Sequence, residues 1–281
     1  MKYNIIKDIK YLTLLRDYSA SELANRLGVA RSTVSRIIKG SVYPNNTFLE
    51  SFYSYAYEDK VKLNALKCQF AIDNYEKILF HGARGTINGP IDLSHSRNNI
   101  DIGIGFYLSE GYEQASSYIN AYNDSSVYIF DVRKLSDLRI KEYSVSLEWM
   151  LIVCYYRGQL DKYEQSTIVR NIIEELEQYD VIIAPIADND MYDIMTRFVR
   201  GDITDKQAIS SLSASDLGKQ HVLKSQKACN SIIMVDRLYI SKPERKDIDA
   251  RNKDKALISA DKAKIAIEEN RRNGKYIEEL L

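Results

Sequence analysis

A chain of 281 residues that is 45% hydrophobic and 28% charged can bury the cores of two compact domains, and its 39 Lys/Arg against 39 Asp/Glu leave no net charge. Three separated cysteines (Cys68, Cys154, Cys229) exclude a disulfide framework, and the three histidines (His81, His95, His221) share no metal-ligand spacing with them. Only four prolines are present, which argues against long disordered linkers, and there is no P-loop, no apolar signal and no 18-residue apolar span; Trp149–Tyr156, the most apolar helix candidate, is too short for a bilayer, so a cytoplasmic protein is expected.

From the N-terminus, Tyr3–Asp17 reads as an amphipathic helix, followed by two shorter helical segments over 21–28 and 30–40. Leu23, Ala24 and Leu27, then Val29, Val34 and Ile37 or Ile38, recur at the spacing of two helices packed across a turn, with Gly28 at the reversal. Ser21, with Glu22 beside it, predicts the start of the first helix of this pair. Arg31, Ser32, Ser35 and Arg36 are left facing outward. Residues 1–45 hold eight Lys/Arg against three Asp/Glu, a local basic excess suited to phosphate contacts. The segment resembles the phage-repressor type of helix–turn–helix DNA-binding domain, including Gly40…Pro44 and a following helix over 47–57. That resemblance implies DNA as a partner, contacted by Arg31, Ser32, Ser35 and Arg36; a scaffold that docks a protein partner is the other reading. Residues 58–76, apolar at 61, 63, 66, 70 and 72, predict a helical connector.

Next, the apolar run Ile78-Leu79-Phe80 ends in His81-Gly82-Ala83-Arg84, and is followed by Asp101-Ile-Gly-Ile-Gly105-Phe-Tyr107-Leu and Gln114-Ala-Ser-Ser-Tyr118. A nicotinamide ring is flat and cationic, and aromatic faces such as Tyr107 and Tyr118 add roughly 1–3 kcal/mol per stacked ring. Gly82 lets the backbone approach a carboxamide with no Cβ in the way, and His81 can direct its imidazole at a ribose hydroxyl. Singly these are a strand-end histidine, turn glycines and two of 21 tyrosines. Together, in this order, they predict a grip on the nicotinamide end of NAD.

Downstream, 126–132 alternates as a strand; 145–157 and 163–178 read as helices; 181–185 is a short buried strand ended by proline. Residues 192–199 and 206–212 are helical again, separated by Gly201 and a Thr204 cap. A short strand after Gln220, a helix start at Ser225 and a last strand over 231–239 complete the body. Residues 242–281 hold eleven Lys/Arg and nine Asp/Glu, the composition of solvated helices with a narrow apolar stripe, or of a tail that docks on a partner or a second subunit.

At the quoted motifs the chain resembles the ADP-ribosyltransferase superfamily, in the branch of diphtheria toxin and the poly(ADP-ribose) polymerases, whose signature reads His, Tyr, then Glu. More narrowly it is similar to a bacterial family of ADP-ribosyltransferase-like domains in which Leu-Phe-His-Gly and Gly-Phe-Tyr-Leu recur, as they do here at 79–82 and 105–108. The resemblance covers about residues 77–240. It implies that His81 holds the adenosine-side ribose and Gly82 the carboxamide, with Ala83 and Arg84 on the same strand end, while Tyr107 and Tyr118 stack on the ring. The late strand departs from the signature: its best match is Gly218-Lys-Gln220-His-Val-Leu-Lys224, which places Gln220 where the Glu stands. A hydrogen bond to a charged group contributes roughly 1.5–3 kcal/mol and a neutral one about 1, so Gln costs about ten- to a hundred-fold in rate, and Gln220→Glu is expected to raise turnover. Gln220, His81 and Tyr107 are the implied catalytic set; Asp92, Asp101 and Glu110 are weaker candidates for an auxiliary carboxylate.

The expected fold class is α+β: an all-α helix–turn–helix domain (1–57), a helical connector (58–76), a mixed split-sheet ADP-ribosyltransferase-like domain (77–241) and a charged helical tail (242–281). The expected function is NAD-dependent mono-ADP-ribosyl transfer by a bacterial toxin or phage-defence effector with a DNA-binding head. NAD is the substrate, no metal takes part, and the acceptor is a protein or nucleic acid. An antitoxin partner and a homodimer are suggested by analogy alone. The alternative is a transcription regulator whose second domain binds NAD or another ligand without turnover; a scaffold carrying relic motifs is a third reading.

Overall fold

The computed structural model describes residues 1–281 apart from Arg97, Asn98, Lys134, Ser215, Asp216 and Arg272 and the side chains of His95 and Leu135. In chain order, five helices come first: α1 (Ile5–Arg16), α2 (Ala20–Leu27), α3 (Arg31–Ile38), α4 (Asn46–Glu58) and α5 (Leu63–Asn74). Then follow β1 (Ile78–Arg84), β2 (Phe106–Ser109), α6 (Tyr112–Ile119), β3 (Ser125–Val132), β4 (Ile140–Glu142), α7 (Leu147–Tyr156), α8 (Thr167–Leu176) and β5 (Val181–Pro185). The chain continues with α9 (Asn189–Val199), α10 (Asp205–Ser213), β6 (Lys219–Leu223), α11 (Gln226–Cys229), β7 (Ile232–Tyr239) and α12 (Lys242–Glu269). These form two compact units, one of Met1–Asn88, Ala115–Asp131 and Met234–Ala250, the other of Gly89–Gln114, Val132–Ile233 and Arg251–Leu281. Among the described residues no helix is long and apolar enough to cross a membrane.

The first unit joins the helical bundle to strands. Ile5, Ile9 and Leu12 of α1, Leu23 and Ala24 of α2, Val34 and Ile37 of α3, and Leu49, Phe52 and Tyr53 of α4 share one apolar core. Gly28 closes α2 at φ 65°, in the left-handed region that the predicted reversal requires. The start of α2 differs from the sequence expectation: the N-cap is Ser19, and Ser21 lies inside the helix. A capping box needs its acid at the third helical position, and only Ser19 stands three before Glu22, whose Oε2 accepts from the Ser19 N–H at 2.7 Å. The expected continuous connector is also broken. After α4 the chain reverses through Lys60 (φ 62°), and α5 begins at Leu63.

Within the same unit, β3 lies between β1 and β7, and β1 pairs antiparallel with β3 in the register Phe80↔Ile129, Gly82↔Val127. The bundle meets β7 through Tyr53, stacked on Tyr239 at 4.9 Å, and through an ionic group beside it. Asp8, 3% exposed, accepts from the Tyr53 hydroxyl at 2.6 Å, and Lys67 of α5 bridges Asp8 and Asp236 at 3.1 Å each. Burial alone would depress the Lys67 ammonium, but the two carboxylates hold its pKa above the ordinary lysine value. The compact unit thus takes in residues 1–57, α5 and three strands, rather than ending with the helix–turn–helix segment.

In the second unit the strands run in the order β4-β5-β6-β2, with β4 parallel to β5 and the other neighbours antiparallel. Trp149 to Cys154 of α7 are all buried against Ile182 and Ala184 of β5, Val222 of β6, and Met195 and Phe198 of α9. The capping box predicted at Thr204 is present, completed by Gln207. The charged tail helps close this core. Gln207 donates to the Ile267 carbonyl at 3.1 Å, Ser211 to that of Ala263 at 3.2 Å, and Ile277 is fully buried. Its narrow apolar stripe therefore packs on α10 of its own chain. All three cysteines are buried and unpaired with one another, and burial raises the thiol pKa of Cys68 and Cys154 to about 12 and of Cys229 to about 11, which disfavours the reactive thiolate.

Among the described residues, Lys67→Ala leaves the buried Asp8 carboxylate with the Tyr53 hydroxyl as its side-chain partner. A loss of about 3 kcal/mol in the urea unfolding free energy is expected; an unchanged midpoint would show that the bundle does not depend on this group.

Candidate functional site

The outward face predicted on α3 is present. Val34 and Ile37 are buried and Ile38 packs against the core, while Arg31, Ser32 and Arg36 are exposed and Ser35 is half-buried. Helical geometry makes Arg31 and Ser35, and likewise Ser32 and Arg36, neighbours one turn apart, so the four share one polar face. The N-cap residue of α3 is Ala30, which has no side-chain acceptor for the first N–H groups of the helix.

His81, Gly82, Ala83 and Arg84 all lie on β1 of the first unit. His81 is half-buried and stands opposite Tyr128. The need for glycine at 82 has a packing cause that sequence reasoning missed: a Cβ there would come within 2.3 Å of the Ala115 carbonyl oxygen and 3.1 Å of the Ile119 side chain, so α6 crosses β1 at backbone contact. Arg84 is exposed, its guanidinium 3.2 Å from the centre of the Tyr122 ring. Tyr118 on α6 is 57% exposed.

Tyr107 and Gln220 lie in the second unit, on adjacent antiparallel strands. The loop before β2 is held at Asp101, Ile102, Gly103 and Gly105. The Tyr107 hydroxyl donates to the Gly103 carbonyl at 2.6 Å and accepts from the Ile102 N–H at 3.1 Å. Ser96 Oγ meets both backbone groups of Gly105 at 2.9 Å, and the buried Lys224 donates to the Ile102 carbonyl at 3.0 Å. Gly103 has φ 69° and a Cβ there would strike the Tyr156 ring at 2.3 Å; at Gly105 it would meet Val222 at 2.4 Å. Both glycines are thus required by conformation or space.

The loop is locked so as to deliver one carboxylate. Asp101, 2% exposed, accepts from Arg157 Nη2 at 2.7 Å and from the Tyr192 hydroxyl on Oδ1, and from Gln220 Nε2 at 3.2 Å on Oδ2. Gln220 is itself buried, and its Nε2 also donates to the Pro185 carbonyl at 3.0 Å. Of the three auxiliary carboxylates, then, Asp101 joins Gln220, whereas Glu110 contacts His221 Nε2 at 2.9 Å and Asp92 caps a local turn through the Ser94 N–H at 2.9 Å. Arg157, Tyr192 and the Pro185 carbonyl were not foreseen. Their only sequence signal was an arginine closing the most apolar helix, a tyrosine among 21 and a strand-ending proline.

This geometry changes what Gln220→Glu is expected to do. A glutamate there would set a carboxylate against Asp101 and a carbonyl, with neither donor bond possible, so it would take up a proton or disturb the cluster rather than add a working charge. Among the described residues no group of three His, Cys, Asp or Glu side chains is placed to hold a metal.

Tyr107→Phe removes the hydroxyl that satisfies a buried N–H and carbonyl of the loop, and a loss of about 1–3 kcal/mol in thermal or urea stability is expected. An unchanged melting temperature would place the control of this loop elsewhere.

Comparison with known proteins adds two matches. Residues 9–51 match the Helix-turn-helix family, over the segment that forms most of α1 to α4. No curated protein and no solved structure is significantly similar to the chain. Residues 77–233, more than half of the chain, match the family described as Protein of unknown function (DUF3990), and with β1 to β6, the locked loop and the Asp101–Gln220 cluster inside that span the chain belongs to the DUF3990 family.

Proposed function

We propose that this protein binds DNA through α3 and that its DUF3990 part uses NAD as the donor in mono-ADP-ribosyl transfer to a protein or nucleic-acid acceptor. The DNA reading is carried by the division of α3 into a buried apolar face and an exposed face bearing Arg31, Ser32, Ser35 and Arg36, within a segment that matches a helix–turn–helix family. A recognition helix needs such a face, because phosphate contacts supply affinity and side chains at base edges supply specificity. The NAD reading is supported by the resemblance at His81, Tyr107 and Gln220, and by a rigid glycine loop that ends at a buried carboxylate and amide.

A second reading is a DNA-binding regulator that senses NAD, or a related nucleotide, without turning it over. One observation favours it. The amide of Gln220 is neutral and tied to Asp101, which Arg157 already pairs, so the cluster orients a ligand more readily than it stabilises a developing cation.

For the DNA reading, changing both Arg31 and Arg36 to Ala should weaken duplex binding, read by fluorescence anisotropy, and lower the slope of log K against log salt by about 0.9 for each phosphate that is no longer neutralised. Intact protein that shows no salt-dependent DNA binding at low ionic strength would make this face a protein-docking surface. For the NAD reading, titration calorimetry should give saturable binding, and chromatography of the mixture should show nicotinamide release. Binding without release selects the sensor. No binding at millimolar NAD rejects both NAD readings.

A further inference from the structure

The hydrogen-bond pattern at Gln220 defines the polarity of its free end. Both bonds made by the side-chain nitrogen end on acceptors that cannot act as donors, the Asp101 carboxylate at 3.2 Å and the Pro185 carbonyl at 3.0 Å. The two protons of Nε2 are thereby used, and the opposite orientation of the amide would set Oε1 against a carboxylate and a carbonyl, each repelling it. Oε1 takes no hydrogen bond from the described residues, and it is not among the buried polar atoms left without a partner. It is an oriented acceptor that still has its lone pairs to offer. Arg157 and the Tyr192 hydroxyl occupy the other oxygen of Asp101, so the carboxylate cannot turn away.

We propose that Asp101 is a positioning residue for Gln220: it fixes the amide with Oε1 outward, and the ligand meets that oxygen with a hydroxyl or N–H donor, never with a carboxylate or phosphate oxygen. Identification of that donor as a ribose 2′-hydroxyl rests on the NAD reading above; the orientation of the amide does not. The charge on Asp101 also polarises the amide through its N–H, which strengthens Oε1 as an acceptor beyond an ordinary glutamine.

The orientation is tested on the wild-type protein without any ligand. In a nitrogen–proton spectrum with the Gln220 side chain assigned through its own carbons, both NH₂ protons should exchange with solvent at least about tenfold more slowly than those of exposed glutamines, since each is hydrogen-bonded inside the protein. Exchange at the rate of exposed glutamines overturns the proposal, whatever the protein binds. The consequence for binding is tested with NAD and an analogue lacking the 2′-hydroxyl on the nicotinamide ribose. Wild-type protein should prefer NAD by about tenfold, and Asp101→Asn, which offers an NH₂ toward Gln220 and so turns the amide, should lose that preference while keeping the weaker affinity for the analogue. A preference retained in folded Asp101→Asn overturns the role of Asp101. If the variant fails to fold, the exchange measurement still decides the orientation. If wild type binds neither nucleotide, the NAD reading fails while protected NH₂ protons uphold the oriented amide.

Discussion

The second unit is organised around a carboxylate that cannot be left alone. Asp101 is almost wholly removed from water, and an isolated charge at such a position costs several kcal/mol unless its oxygens are paired and hydrogen-bonded. Every feature nearby serves that demand. Arg157 at the end of α7 supplies the opposite charge, Tyr192 of α9 and Gln220 of β6 supply neutral donors, and the glycine loop brings the carboxylate to them. Three elements far apart in the chain are thus drawn to one group. Because a half-satisfied buried network is less stable than an apolar core, these partners stand or fall together.

The first unit solves the same problem differently. Asp8 is as deeply buried, but its charge is shared with Lys67 and Asp236, so a single ammonium serves two carboxylates at 3.1 Å each. The Tyr53 ring, stacked on Tyr239, hands its hydroxyl to the same aspartate. A helix–turn–helix segment alone would expose Tyr53 and strand Asp8. Here the strands complete its core, and α3 packs into it through Val34, Ile37 and Ile38, with Arg31, Ser32 and Arg36 exposed on its polar side.

Chemistry at Gln220 follows from what is already spent. The amide nitrogen is committed to two acceptors, so only the oxygen is on offer, and it carries a dipole where the superfamily that the motifs resemble carries a charge. Placing a charge there by simple substitution runs into Asp101, because like charges about 3 Å apart do not both ionise. The amide and the aspartate form one hydrogen-bonded group, with the negative charge set one hydrogen bond further back. Such an arrangement suits orienting a donor more than stabilising a cation.

Local pattern was enough for the helix–turn–helix, for the Thr204 and Ser225 caps and for the strands over 126–132 and 181–185, because period, capping chemistry and a left-handed glycine are properties of neighbouring residues. It also singles out Gln220, Asp101 and the glycines around Tyr107, whereas Gly82, which suits a close-approaching ligand by pattern, is required by the Ala115 carbonyl of a helix. Tertiary structure alone decided the rest. β4 is three residues long, too short to show a period, and exists because β5 offers it an edge. The tail looked solvated because charged residues outnumber its apolar ones, yet Ile277 is fully buried and α10 supplies the donors that hold it. Arg157 and Tyr192 became part of the site only when α7 and α9 packed together, since no sequence spacing records which buried carboxylate a distant cation must neutralise.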